Sequence, residues 1–344
     1  MRIAQVLTAS TGGIGRHVAS LLPRLLDRGH QVQVFCPDVT AETQGFAELG
    51  VTVRPLRELV RVRSADVVHA HGYKAGALAA AALAFARPPL VVTWHNAILG
   101  TGRSAVAGRL LQRSVARVAD LTLGASSDLV VTATALGARR ARLGPVAAPV
   151  LPVPTTDRAE TRALLGLGPD DVAVLTVSRL APQKNLAMVL DVAAAVRDRD
   201  DLRFLVVGAG PERAGLQQRI DAEGLAVSLL GRRDDIADLL AAADLALLVS
   251  TWEARALVAQ EALLAGLPLV STRVGGIEEL VGDAAALVEL GDVPGAVAAV
   301  SRLADDPRER RRLSRAGRAR AADWPDEDQV AGDVLAAYAE ARRP

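Results

Sequence analysis

Short apolar runs alternate along this chain with longer segments whose apolar positions recur every three to four residues, a pattern of buried parallel strands and amphipathic helices. RIAQVL (2–7) predicts a first strand, Gly12 and Gly13 a loop, 14–27 a helix with Gly29 past its end, and QVQVFC (31–36) a second strand. Together they make a βαβ unit of a parallel sheet. VTVRP (51–55), DVVHAH (66–71), LVVTWH (90–95) and ADLTLGAS (119–126) predict further strands, with helices over 74–86 and 103–119. The run 139–154, with prolines at 145, 149, 152 and 154, breaks the alternation and reads as a linker. Beyond it the alternation resumes. Strands are expected at 172–178, 202–208, 227–231, 244–250 and 267–272, and helices at 186–196, 212–222, 234–242 and from about Ala254 to Gly266. The expectation is an α/β chain of two Rossmann-like parallel-sheet domains, 1–150 and 151–325, facing across a cleft.

Length and composition narrow the class. The 344 residues exceed one typical core, and 50% hydrophobic with 23% charged residues is a globular balance. Aromatics make up only 3%, so the core is expected to be Ala, Val and Leu. A net charge of +1, with no platform of interleaved aromatic and basic residues, argues against nucleic acid as a partner. The single cysteine, Cys36, lies inside a strand pattern and reads as a buried, inert thiol. Because a strand already begins at Arg2, and the apolar stretch 75–86 is shorter than the ~20 residues of a spanning helix, a cytoplasmic protein is expected.

Candidate chemistry gathers in WEARALVAQEALLAGLPLVSTRVGG (252–276). Were the helix to begin near Ala254, Glu253 and Glu261 would stand ~12 Å apart at 1.5 Å rise per residue, the scale of a nucleotide sugar. Phosphates would sit at the helix N-terminus, whose free N–H groups favour anions. Gly275 and Gly276 would open a further helix with close backbone approach to a ligand. Two glutamates at this spacing are also what solvated helix carboxylates look like. Upstream, SRLAPQKN places Arg179 and Lys184 after the strand 172–178, at the ligand-binding edge of an open α/β sheet. Of 40 Lys plus Arg, lysine stands only at 74 and 184, so a compact ammonium has been kept where the chain otherwise uses arginine.

Gly12 and Gly13 permit a tight turn, and a strand–glycine–helix order also offers N–H groups to an anion. GAGP at 208–211 fails as a dinucleotide fingerprint, since no third glycine follows at the required step. All five histidines, 17, 30, 69, 71 and 95, fall in the first 95 residues. His30 reads as a helix end and His69 as a satisfied core residue, while His71 and His95 close apolar strands. No carboxylate or cysteine stands at ligand spacing beside them, so no metal is expected. Arg109, Arg113 and Arg117 share one helix face, with Arg103 on the same helix. They read as a solvated face or as a dock for anionic lipid. The arginine-rich run 308–320 reads as a solvated helix.

Taken together, Gly12–Gly13, DVVHAH, TWHN, SRLAPQKN, the glutamate pair and LPLVSTRVGGIEELV resemble the retaining glycosyltransferases of the GT-B fold, glycosyltransferase family four. The resemblance covers nearly the whole chain. It implies a hexosyltransferase-type enzyme of cell-envelope glycan or glycolipid synthesis, moving a sugar from a nucleoside-diphosphate donor to a hydroxyl acceptor, with no cofactor and no metal. It implies that Arg179 and Lys184 neutralise the diphosphate, that Glu261 accepts from the ribose hydroxyls and that Glu253 touches the donor sugar. His95 would lie near that sugar with the Gly12–Gly13 loop, and Arg232 to Asp235 where the base is held. The last helix, about 326–342 after Trp324 and Pro325, would cross back onto the first domain. Where many relatives carry Gly-aromatic-Gly after the first glutamate, this chain has Ala254, Arg255 and Ala256 before Leu257. The change alters how closely backbone can approach the sugar, and Arg255 facing the donor would suit an acidic sugar or a further phosphate contact. A nucleotide-sugar epimerase of the same fold and a hinged two-domain binding protein remain alternatives. A dinucleotide oxidoreductase fits poorly without an intact GxGxxG.

Overall fold

Two parallel sheets organise the computed structural model, which describes residues 1–10, 12–84, 88–144 and 146–343. The end of the predicted helix 74–86 and Pro145 of the predicted linker lie outside the described residues. The chain divides into two units, Met1–Ala148 with Pro325–Pro344, and Pro149–Trp324.

In the first unit the elements run β1 (Arg2–Leu7), α1 (Gly13–Asp27), β2 (Gln31–Phe35), α2 (Asp38–Gln44), β3 (Thr52–Arg54), a 3-10 segment (Leu56–Ser64), β4 (Val67–His71), α3 (Tyr73–Ala82), β5 (Leu90–Trp94), α4 (Arg103–Val118), β6 (Leu121–Gly124), α5 (Ser127–Ala135) and β7 (Ala141–Leu143). The seven strands are ordered β3-β2-β1-β4-β5-β6-β7, all pairs parallel. Every residue of β4 and β5 is buried, as befits strands with helices on both faces. α1 buries Val18, Leu21, Leu22 and Leu25, the i, i+3, i+4, i+7 stripe of an amphipathic helix. β7 corrects the linker expectation: residues 141–143 extend the sheet beside β6, because the break at the prolines begins only after them.

The second unit runs α6 (Arg158–Leu164), β8 (Val172–Val177), a 3-10 turn (Pro182–Lys184), α7 (Leu186–Ala195), β9 (Leu202–Val207), α8 (Arg213–Glu223), β10 (Val227–Gly231), α9 (Ile236–Ala242), β11 (Leu245–Leu248), α10 (Leu257–Ala265), β12 (Leu269–Thr272), α11 (Ile277–Val281), a 3-10 turn (Gly282–Ala284), β13 (Ala286–Val288), α12 (Val293–Asp305) and α13 (Pro307–Ala322). Its order is β10-β9-β8-β11-β12-β13, again parallel. The order reverses between β1 and β4 in one sheet and between β8 and β11 in the other, and ligands of open α/β sheets bind outside the carboxyl ends of strands at such points.

The last helix, α14 (Glu327–Ala341), begins with a capping box between Asp326 and Gln329. Its Val330, Val334 and Tyr338 belong to the core of the first unit. The helix expected over 308–320 exists as α13 but is not merely solvated. Leu313, Gly317 and Ala321 are buried, Arg318 donates to the Ala265 carbonyl that ends α10, and Arg320 donates to the Leu280 and Glu279 carbonyls of α11. These arginines satisfy helix carbonyls that have no intrahelical partner. No described helix is long and apolar enough to cross a membrane.

Candidate active site

In the second unit, the loops after β8 and β11 meet at the point where the strand order reverses. The Gln183 amide donates to the Trp252 carbonyl (2.8 Å), and the Gln183 carbonyl accepts from the Thr251 N–H (2.8 Å). Asn185 takes a left-handed conformation (φ 50°), the one non-glycine residue with positive φ among the described residues, and donates to the Val249 carbonyl (3.2 Å). This stitching sets the Lys184 ammonium against a Glu253 carboxylate oxygen as a largely buried ion pair. Arg179, on the same loop, is exposed. The glycines of GAGP serve this loop. Side chains on Gly208 and Gly210 would run into the Ser178 and Leu180 carbonyls, 1.8 and 2.3 Å from their Cβ positions, and the Leu180 N–H donates to the Ala209 carbonyl (3.0 Å). They let two backbones touch, which a fingerprint search could not reveal.

Helix α10 begins at Leu257, not near Ala254, so Glu253 lies outside it and the ~12 Å helical spacing of the two glutamates does not hold. The reason is a tertiary contact with a later turn. The Glu253 backbone is held by that turn, its carbonyl accepting from the Gly276 N–H (2.9 Å), and Gly275 is so close that a Cβ would lie 2.0 Å from that carbonyl. The close approach expected of Gly275 and Gly276 is therefore to the Glu253 backbone, and φ of 53° at Gly275 makes it a glycine position. No side chain caps the α10 N-terminus at Ala256, leaving the first-turn N–H groups of Leu257 onward to other acceptors. Glu261 is half-buried within α10 and engaged by a partner.

Arg255 is neither a surface residue nor a bare cation in the open. Its guanidinium lies over the Trp324 ring, 5.8 Å from the centroid, with Nε and Nη2 buried and no hydrogen-bond partner among the described residues. Burial lowers its pKa, against the raising influence of Glu279. Ala254 and Ala256 are buried on either side. Arg232 is exposed, 3.7 Å from Asp234, while Arg233 grips Asp235 (Nε to Oδ1, 2.7 Å).

In the first unit, Gly12 and Gly13 are exposed at the start of α1, after β1. His71 ends β4 and His95 follows β5. A buried chain of hydrogen bonds runs beneath them. The Gln5 amide donates to the Tyr338 hydroxyl (2.9 Å), whose own hydrogen then goes to His69 Nδ1 (2.9 Å), and His69 Nε2–H donates to Thr93 Oγ1 (2.7 Å). His69 is thus the satisfied core histidine its strand position implied. The Gln5 carbonyl oxygen accepts from His71 Nε2–H (2.8 Å), leaving His71 Nδ1 to accept from His95 Nε2–H (3.2 Å). His17, from α1, closes on the same place: its ring centroid is 5.8 Å from His71 and 5.4 Å from His95. Burial lowers the pKa of all four, His17 to about 4 and His69 to about 3, with His71 and His95 well below 6.5 and repelled further by neighbouring rings. At neutral pH they are uncharged imidazoles. Cys36 is buried and its pKa is raised to about 11, mainly by burial, so it is inert. Sequence reading missed Gln5, His17 and Tyr338, for which only a polar residue inside an apolar pattern was a signal.

Comparison with known proteins agrees with this architecture. The profile described as glycosyl transferases group 1 matches residues 157–320, and that of the glycosyl transferase 4-like domain matches residues 12–156. The chain is 30% identical to a D-inositol 3-phosphate glycosyltransferase of Frankia alni, over 98% of this chain and 96% of that protein. It is 34% identical to an N-acetyl-alpha-D-glucosaminyl L-malate synthase of Bacillus anthracis over 143 residues, 40% of this chain and 38% of that protein. Among solved structures, Anabaena HepE in complex with UDP superposes with a TM-score of 0.86 at 23% identity, over 98% of this chain and 100% of that chain.

Proposed function

We propose, since this chain belongs to the group 1 glycosyltransferases of the GT-B fold, family four, that it transfers a sugar from a nucleoside-diphosphate donor to a hydroxyl acceptor with retention and without a metal ion. The observation that carries this reading is the gathering of Lys184, Glu253 and the uncapped N-terminus of α10 at the β8/β11 switch point, with exposed Arg179 on the same loop. That the Anabaena protein takes UDP supports a nucleoside diphosphate as the donor's leaving group here.

A departing diphosphate needs positive charge where its bridging oxygen becomes anionic. Arg179 and Lys184 supply it together with the α10 N–H groups, in the place a divalent cation fills in metal-dependent transferases. As the diphosphate engages Lys184, the Glu253 carboxylate is released to accept hydrogen bonds from donor-sugar hydroxyls. Glu261 takes the ribose hydroxyls, and the segment Arg232 to Asp235 the base. His95 orients the sugar and shields the positive charge that grows at the anomeric carbon, and Gly12 and Gly13 line that space. The acceptor hydroxyl, on a lipid-linked, glycan or small-molecule acceptor, attacks on the face the nucleotide leaves. Its proton passes to the departing phosphate oxygen.

A thermal-shift panel of nucleoside diphosphates identifies the base and tests the donor reading. Activity should survive EDTA, and proton NMR of the first product from an α-linked donor should show an α linkage. A β product, or activity restored only by Mg²⁺ or Mn²⁺, would refute the mechanism.

A further inference from the structure

No carboxylate or cysteine stands at ligand spacing beside His71 and His95 in the sequence, but the fold brings a third imidazole, His17, from α1. The ligand nitrogens of His17, His71 and His95 all lie within 4.8 Å of one another. His71 Nδ1 and His95 Nε2 are 3.2 Å apart. Two imidazole nitrogens on a tetrahedral zinc, at Zn–N distances of about 2.0–2.1 Å, stand about 3.3 Å from each other. His71 also carries the outer partner that metal-binding histidines need, since its Nε2–H is held by the Gln5 carbonyl oxygen at 2.8 Å, which turns Nδ1 toward the cluster. The Gln5 amide is fixed in turn by Tyr338. His17 is buried, and its Nδ1 has no hydrogen-bond partner among the described residues, so no such bond anchors that edge of the ring away from a metal.

We propose that His17, His71 and His95 form a three-histidine site for a divalent transition metal, Zn²⁺ foremost, with a fourth position open to water, and that filling it switches transfer off by withdrawing His95 from the donor sugar. The ligand set excludes Mg²⁺ and Ca²⁺, which take oxygen ligands, and suits the imidazole-preferring metals. Binding needs no net proton release. The hydrogen on His95 Nε2, now shared with His71, moves to Nδ1, and the metal takes the place of the shared hydrogen between the two rings. The inhibitory half rests on the role given to His95 above, and the binding half does not. The site is compatible with a transfer step that uses no metal: chelators would leave basal activity intact and reverse inhibition by zinc.

The test titrates the chelator-treated full chain with Co²⁺ and follows the visible absorption of four-coordinate cobalt, then displaces it with Zn²⁺. One cobalt per chain with a four-coordinate spectrum is expected. His17→Gln should weaken Zn²⁺ binding by more than the roughly 10–100-fold that loss of an outer-shell partner costs, with an unchanged circular dichroism spectrum and basal transfer retained. Zn²⁺ should inhibit the wild type, and His17→Gln should escape that inhibition. Absence of the cobalt spectrum, or its persistence in His17→Gln, overturns the site. A cobalt site lost in His17→Gln with equal zinc inhibition of both proteins overturns the switch alone. If no transfer is found at all, the cobalt titration still decides the site, so the two readings fail separately.

Discussion

Lys184 and Glu253 are 69 residues apart in the chain yet share one largely buried ion pair, and this changes what substitution of either one does. Removing Lys184 leaves a carboxylate short of both charge and water, which costs about 1–3 kcal/mol in such a place. Lys184→Ala should therefore lower turnover by roughly 10²–10³, as loss of one preorganised donor to a developing anion does, and also lower the unfolding temperature of the second unit. Adding Glu253→Gln should restore most of the stability and none of the turnover. Calorimetry of the single and double variants alongside donor turnover checks this, and an unchanged melting temperature in Lys184→Ala would show the pair contributes nothing to the fold.

At the scale of elements, single polar residues hold whole segments in place. Asp238 of α9 is buried and accepts from the Thr155 N–H (2.6 Å), the Thr155 hydroxyl (2.9 Å) and the Thr156 N–H (2.9 Å), tying the segment before α6 to α9. These bonds, the Thr156 N–H first, lower its pKa below the ordinary carboxylate value. A depressed folded-state pKa means the stabilisation is present above the unfolded value of about 3.9 and is lost as pH falls through the folded one. Asp238→Asn should thus be less stable than wild type in urea at pH 7, with the gap closing below about pH 4. Helix α4 presents the opposite case, an element with polar residues and little to hold. Arg109, Arg113 and Arg117 are exposed, beside Val106 and Leu110 at 49% and 60% exposure. Cations flanking exposed apolar side chains fit the headgroup region of an anionic bilayer. Liposome flotation should recover the protein with anionic but not neutral vesicles, less so as salt rises, and not after replacement of the three arginines by glutamine. Equal recovery with both vesicle types, or none, makes α4 a solvated face.

In the whole molecule, the first unit depends on the last helix of the chain. Val330, Val334 and Tyr338 lie in the core of the first unit, and burial of each large apolar side chain is worth about 1.5–3 kcal/mol. Their sum is comparable with the about 5–15 kcal/mol that holds a typical domain. A chain ending at Pro325 should lose the calorimetric transition of the first unit and keep that of the second, whose core contains no residue of α14. Survival of both transitions would show that α14 only decorates the surface.

Much of this was legible in the residues themselves. Strands buried on both faces are continuous apolar runs, helices repeat at their own period, and glycine or proline marks the boundaries, so the alternation and the two parallel sheets could be read locally. A lysine in a chain of arginines, after a strand, likewise announced itself at position 184. What the tertiary structure alone decided are meetings between distant segments, which leave no periodic trace. The Gly275 turn moved the start of α10 to Leu257 by holding the Glu253 backbone, and Lys184 was placed on the Glu253 carboxylate. Arginines in a polar stretch became caps for α10 and α11. His17, one residue of a helix read only for its apolar stripe, joined His71 and His95 because α1 follows β1, and β1 pairs directly with β4.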